Sequence, residues 1–266
     1  MYDAKGRSEA FALEEWEGRV KLPPLQNALP QYEEWCEVFE QQAWRRIRFH
    51  DYASIFERPG LYEHLFYRLL QCDSPRVVVR LLSDVRQTRA RLPPLHVIDL
   101  GAGNGIVAEE LRKVGAEKIV GIDILPEARQ AAQRDRPGVY TDFVVADLCD
   151  PSPEVSDRIR ATRPNALVCV AALGFGDIPP LAYYHALDFV PEGGLLAFNI
   201  KEDFLDEGYN HGFSELIRRM MSGKVVRIEA TRRYCHRLSM AGEPIFYTAM
   251  VATKLDAIPR SMLVDP

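Results

Sequence analysis

The chain has 266 residues, with 33 Lys and Arg against 38 Asp and Glu, a formal net charge of −5. Hydrophobic residues at 47% and charged residues at 27% are the balance of a globular protein long enough to bury a sizeable core. The acidic balance argues against polyanion binding as the main business of the chain, no apolar run approaches the roughly 20 residues that span a bilayer, and the polar Met1–Ala10 does not read as a secretory leader, so a soluble cytoplasmic protein with no membrane partner is expected.

The first 94 residues are rich in Trp, Tyr, Glu and Arg. Pro23, Pro24 and Pro30 punctuate the start, so residues before about 30 read as a loose arm. Arg45, Arg46 and Arg48 form a basic patch, read as a solvated helix face or as a meeting point for an acidic acceptor. Leu61, Leu65, Phe66 and Leu69 repeat at helical spacing behind Pro59-Gly60. Val77, Val78, Leu81, Leu82 and Val85 form a second stripe behind Ser74-Pro75, with Ser74 as the expected N-cap. Pro93-Pro94 mark a boundary, giving a helical arm and lid over 1–94 and a second domain over 95–266. The five cysteines are odd in number and form no CxxC pair, and the six histidines are scattered, so reduced thiols and no metal site are expected.

From Leu95 onward apolar runs and helical patterns alternate. Strands are expected over 95–100, 118–122, 140–145, 166–171 and 195–200, with helices over 106–114, 126–134, 153–162 and 180–188. This α/β alternation predicts a mainly parallel, doubly wound sheet with helices on both faces. A helix is expected over 213–221. Runs over 224–238 and 245–254, joined by a short turn at Ala241–Pro244, then predict an antiparallel C-terminal hairpin and a mixed sheet of seven strands.

The most informative segment is Asp99-Leu100-Gly101-Ala102-Gly103-Asn104-Gly105, which leaves a predicted strand and opens a predicted helix. Glycines there permit a tight turn and close backbone approach to a ligand at the helix N-terminus. The third glycine arrives one residue earlier than in the dinucleotide pattern GxGxxG, whose last position is Ile106 here. A carboxylate at Asp99 is awkward beside a pyrophosphate and suits a ligand with a positive amino group. Asp123 ends the next strand, 20 residues after Gly103, where a ribose-binding acid is expected; it reads alternatively as a cap for the helix at Pro126.

An acid followed by GxGxG resembles motif I of the class I S-adenosylmethionine-dependent methyltransferases, and the resemblance runs from about residue 95 to the end. It implies a Rossmann-like sheet closed by the C-terminal hairpin, and S-adenosyl-L-methionine as cofactor. It implies cofactor binding by Asp99, Gly101, Ala102, Gly103, Asn104, Gly105 and Asp123. Asp147 matches the third-strand acid that in this family takes the adenine amino group, and reads otherwise as a surface turn residue. Ile124 and Leu148 would line the adenine slot or serve as ordinary core. Ala171 opens the loop after the fourth strand, which faces the transferred methyl.

That loop, Ala171–Pro180, lacks the Asn/Asp-Pro-Pro-Tyr/Phe signature of methyltransferases acting on amino groups of nucleic acids, so no nucleic-acid partner is expected. Asp177 and His185 are the candidate proton acceptors by loop position. Asp177 reads equally as a turn or cap, and His185 as a structural residue on its helix; Tyr183 and Tyr184 flank the same site. Residues 48–53 and 59–62 loosely resemble the lid aromatics of small-molecule methyltransferases. The implied function is methyl transfer to a small-molecule acceptor, with a protein or peptide acceptor and a catalytically silent cofactor-binding module as alternatives. A nicotinamide oxidoreductase is disfavoured by Ile106 and Asp99.

Overall fold

The computed structural model describes residues 15–23, 29–91, 93–173, 177–202 and 212–263. Its N-terminal part opens with three short antiparallel strands, β1 (Val20–Lys21), β2 (Trp35–Glu40) and β3 (Ala43–Arg48). Cys36, Val38 and Ile47 turn inward onto Trp16, Phe49, Leu61 and Leu65, so this sheet shares a core with the first helical stripe. The sequence pattern does not predict these strands. Their tight turn places Gln41 at φ 51° and Gln42 at φ 63°, the left-handed pair that such a turn requires, without the Asn or Gly that announces it.

Two readings of this region are corrected. The arm before residue 30 is not loose where it is described: Trp16 is buried and its indole N–H donates to the Pro59 carbonyl at 2.8 Å, and Val20 pairs with Val38. The remainder of that arm, 1–14 and 24–28, lies outside the described residues. The basic patch lies on a strand and not on a helix. Its cations are locally engaged, Arg46 over the Trp35 ring at 3.7 Å, Arg45 on Gln41 and Arg48 on the Tyr32 carbonyl.

Helices α1 (Tyr52–Phe56) and α2 (Leu61–Glu63, continuing as a π-helix over His64–Leu69) follow. Asp51 caps α1 by accepting the Ser54 N–H. Helix α3 (Ser74–Gln87) begins one residue early, with Ser74 inside it and Asp73 at the cap position without a side-chain capping bond. The Ser74 hydroxyl instead meets the Tyr234 hydroxyl at 2.7 Å and His236 Nδ1 at 2.6 Å. Val78, Leu82 and Val85 of α3 pack with Val97, Val168 and Val251, so this helix belongs to the layer on the main sheet and the cover ends before it.

The main sheet is β4 (Leu95–Leu100), β5 (Ala116–Asp123), β6 (Asp142–Val145), β7 (Ala166–Cys169), β8 (Leu195–Lys201), β9 (Val226–Leu238) and β10 (Pro244–Lys254), in the order β6-β5-β4-β7-β8-β10-β9. The first five are parallel, and β10 inserts antiparallel between β8 and β9. Helices α4 (Ile106–Lys113), α5 (Pro126–Asp135), α6 (Pro153–Ala161), α7 (Pro180–Asp188) and α8 (Phe213–Ser222) alternate with the strands as expected. Period-two alternation sends Ile98 and Leu167 into one core with Tyr183 and Phe198, and Val97 and Val168 into the other with Val78 and Leu82. Ligand-binding turns therefore gather at the carboxyl ends of β4, β5, β6 and β7, with the strand order reversing beside β4.

The hairpin is locked to the cover by a buried ion pair. Arg237 of β9 donates to Glu34, whose other oxygen accepts the Met240 N–H at 3.1 Å; the two side chains are 5% and 1% exposed. Removing one partner strands the other charge away from water. Glu34→Ala should cost about 3–5 kcal/mol of unfolding free energy, read from urea denaturation. A loss below about 1 kcal/mol, the range of an exposed pair, would show that water reaches Arg237.

Candidate active site

The turn after β4 is built on left-handed backbone at Gly101 (φ 73°) and Gly103 (φ 51°), with Gly105 at the N-cap of α4. A Cβ on Gly101 would come within 3.1 Å of the Ala172 side chain, and one on Gly103 within 3.2 Å of the Phe56 ring. The glycines are thus required by conformation and by neighbours on both sides. Asp123, at the end of β5, takes the Gly103 N–H on one carboxylate oxygen at 2.9 Å and the Leu125 N–H on the other at 3.0 Å. Burial pushes its pKa up, and these donors pull it back.

Around this turn lies a cleft of about 400 Å³. Of the residues singled out in the sequence, Gly101, Gly103, Asp123, Ile124, Asp147, Leu148, Ala171 and Asp177 line it. Ile124 is 59% exposed, an uncovered aliphatic wall, while Leu148 is anchored in the core opposite. Asp147 is fixed by accepting the Cys149 N–H at 2.8 Å. Ala171 stands at φ 56°, and its N–H donates to the Asn199 side-chain oxygen at 2.7 Å. From the cover come Tyr52, Phe56 and Tyr62, packed on one another and also lining the cleft, together with His50.

The other sequence candidates sit elsewhere. Asp99 is fully buried behind the turn, where it accepts the Tyr140 hydroxyl at 2.7 Å. Its second oxygen has no hydrogen-bond partner among the described residues, and it does not face the cleft. Ala102 and Asn104 are buried too. The Ala102 carbonyl accepts from Tyr140, and the Asn104 amide donates to Glu63 of α2 at 2.8 Å. Gly105 likewise serves the start of α4 and not the cleft wall. His185 Nδ1 donates to the Leu148 carbonyl at 2.7 Å and does not line the cleft. Tyr183 is fully buried among Phe198 and Phe213. The middle of the β7 loop, 174–176, lies outside the described residues.

Asp177 acquires a partner that no local pattern announces. His50 Nδ1 lies 3.2 Å from its carboxylate, across 127 residues of sequence, and both side chains are only partly exposed. They line both the cleft and a smaller chamber of about 40 Å³ between the cover and the hairpin. Asn199 was also missed; a polar side chain inside the apolar run of β8 was the available signal.

The sheet order with its inserted hairpin, and a cleft on a GxGxG turn with an acid on the neighbouring strand, define a methyl-donor site and not a dinucleotide site. Residues 63–230 match the family model described as "Methyltransferase domain", and the chain belongs to that family, within the class I S-adenosylmethionine-dependent methyltransferases. It is 37% identical over 89 residues to a ribosomal protein L11 methyltransferase of Vibrio campbellii, covering 26% of this chain and 30% of that protein. The chain thus matches under a third of that relative's length. It is 26% identical over 224 residues to human methyltransferase-like protein 27, covering 80% of this chain and 76% of that one. Among solved structures, the N-methyltransferase NodS of Bradyrhizobium japonicum WM9 in complex with S-adenosyl-L-homocysteine aligns over 68% of this chain and 87% of that one, with 15% identity and a TM-score of 0.49. Among the described residues no helix is long and apolar enough to cross a membrane.

Two outcomes are expected. Asp123→Ala frees the Gly103 and Leu125 N–H groups and should weaken S-adenosylhomocysteine binding about 10- to 100-fold, or roughly 1.5–3 kcal/mol, by calorimetry. Unchanged affinity would assign Asp123 to helix capping alone. Asp99 is pushed up to about 7, chiefly by burial, against the Tyr140 hydroxyl that pulls it down. A carboxyl raised above its unfolded value stabilises the fold most below pH ~4, and that contribution is lost as pH rises to about 7. Asp99→Asn removes the loss, so its Tm relative to the parent should rise between about pH 4 and pH 7 and level off above that. A pH-independent difference would contradict the shift.

Proposed function

We propose that the protein transfers a methyl group from S-adenosylmethionine to a small-molecule acceptor. The observation that carries this is the common wall of the two spaces: the large cleft and the 40 Å³ chamber share His50, Tyr52, Tyr62, Ala171 and Asp177. A methyl presented at that neck has enclosed space of small-molecule size beside it.

The residues present fit the cofactor. Gly101 and Gly103 leave room for backbone approach, Asp123 supplies a carboxylate for ribose hydroxyls, and Asp147 with Ile124 and Leu148 offers a polar edge and apolar walls for adenine. Asp99 supports the turn from behind. The bound cofactor supplies an activated methyl on a sulfonium, so positioning does much of the work. Tyr52, Phe56 and Tyr62 close the cover side and exclude water from the neck.

His50 and Asp177 are the pair that takes the acceptor proton. A carboxylate oxygen 3.2 Å from Nδ1 holds that nitrogen as the donor and fixes the orientation of the ring. His185, spent on a backbone carbonyl, is not part of it. A protein acceptor is the second reading, favoured by the stretch shared with ribosomal protein L11 methyltransferases.

Labelled methyl transfer to small-molecule and protein pools decides between acceptors. With an acceptor in hand, His50→Ala should lower kcat by about 10²-fold or more, and Asp177→Asn by less, with S-adenosylhomocysteine affinity unchanged. A kcat within a factor of about two of the parent for both variants would remove the proton-accepting role. Label entering only proteins would overturn the small-molecule reading.

A further inference from the structure

The fixed charge on the walls of the cleft has one sign. Among the described residues they carry four carboxylates, Asp51, Asp123, Asp147 and Asp177, and no Lys or Arg. The cofactor reading uses Asp123 for the ribose and Asp147 for the adenine edge. Asp51, from the N-cap of α1, and Asp177, from the β7 loop, are left over. Each has one oxygen engaged: Asp51 accepts the Ser54 N–H at 3.3 Å, and Asp177 Oδ1 lies 3.2 Å from His50 Nδ1. The second oxygen of each has no hydrogen-bond partner among the described residues, and neither is a sealed buried atom. Asp51 is exposed, and the Asp177 side chain keeps 25% of its surface open.

The two acids differ in position. Asp51 lines the cleft alone and is available to the cofactor's own amino group, whereas Asp177 also borders the chamber, beside Tyr52 and Tyr62. The Tyr52 phenol is held well above its usual pKa, first by burial and then by the Asp177 carboxylate, so the negative field of Asp177 reaches this ring. A cation is attracted both by a carboxylate and by aromatic faces. An anionic head would meet only like charge in the cleft. The chamber supplies no open cation for it either. Arg237 is spent in its buried pair with Glu34, and His236, held well below its usual pKa first by burial and then by Arg237, is neutral. Gln31, on a 3₁₀ turn (Gln31–Glu33), donates to the Tyr247 hydroxyl at 3.5 Å.

We propose that the acceptor is a small amine that enters as its ammonium ion, that Asp177 holds this ion against the Tyr52 and Tyr62 rings, and that the methyl group goes to nitrogen. The proposal rests on the small-molecule methyltransferase reading and adds to it the acceptor class and the methylated atom. The ammonium gives one proton to His50, which releases it to solvent. The nitrogen lone pair so freed forms the bond to the methyl carbon while the carbon–sulfur bond breaks with its electron pair on sulfur. The products are S-adenosylhomocysteine and the N-methylammonium. Asp177 thereby has two tasks, holding the ammonium on one oxygen and the imidazole on the other.

The test uses the full chain saturated with S-adenosylhomocysteine and three probes that share a ring and differ in the head: benzylammonium, benzyl alcohol and benzoate. Dissociation constants are read by ligand-observed NMR at about pH 7, where the amine is protonated. Benzylammonium should bind about ten-fold or more tighter than benzyl alcohol, because a hydrogen bond between two ions is roughly twice as strong as a neutral one, and benzoate should bind weakest. Asp177→Asn should bring the ammonium-to-alcohol ratio to within about two-fold of one with S-adenosylhomocysteine affinity unchanged, while His50→Ala, which leaves the carboxylate in place, should keep the preference. No binding of benzylammonium, a ratio near one or tightest binding of benzoate in the parent protein would overturn the proposal without recourse to any variant. So would a ratio unmoved by Asp177→Asn, or a loss of S-adenosylhomocysteine affinity in that variant, which would assign Asp177 to the cofactor's amino group. Failure of the parent to bind S-adenosylhomocysteine at all would instead overturn the methyltransferase reading.

Discussion

Gly103 stands on left-handed backbone with the Phe56 ring 3.2 Å from where a Cβ would lie, and the site is organised around that close approach. Asp123 holds its N–H from the β5 side, while the Phe56 ring closes over its Cα from the cover. The main sheet and the N-terminal cover therefore meet at one backbone atom group, at the carboxyl end of β4. Further bonds keep the two parts in register. Arg136 bridges Glu63 of α2 and Glu109 of α4 at 2.8 and 2.7 Å, Asn104 reaches the same Glu63, and Arg134 donates to the Phe56 carbonyl. Arg136 is nearly buried, so the cluster is screened far less than surface pairs and works as a positional lock.

Ala171 is held by a second polar cluster, drawn from three separate elements. Asn199 of β8 accepts the Ala171 N–H and donates to the Tyr234 hydroxyl of β9, which meets Ser74 of α3 and, through it, His236. A non-glycine residue at φ 56° costs about 1–3 kcal/mol, and the Asn199 bond is what holds Ala171 there. Ala171 and Asp177, from the two described ends of the β7 loop, both border the cleft and the chamber, where Asp177 meets His50.

Glu34 and Arg237 illustrate a different use of buried polarity. An ion pair away from water is a weak source of net stability, but its partners tolerate few alternative placements. Here it joins the 3₁₀ turn that carries Gln31 to the C-terminal hairpin, and so fixes the roof of the chamber relative to its floor. The hairpin, which completes the sheet, thereby also becomes a wall of the site.

The alternation of apolar runs and helical stripes from Leu95 to Lys254 is a local property, and it determined the strands, the helices between them and the terminal hairpin. GxGxG with acids at Asp99, Asp123 and Asp147 is equally local and was sufficient for the ligand class, since turn geometry and strand-end position are written within a few residues. What tertiary structure alone decided is orientation and company. Packing behind the turn points Asp99, partnered by Tyr140, and Asn104, partnered by Glu63, away from the cleft although they lie within the motif. The β2–β3 hairpin was illegible because Gln41 and Gln42 carry no turn signature and only Cys36, Val38 and Ile47 face inward. His50 with Asp177, Gln31 with Tyr247, and Asn199 with Ala171 are pairs 127, 216 and 28 residues apart. No periodicity links such partners; they meet because the cover, the β7 turn and the hairpin are folded against one another.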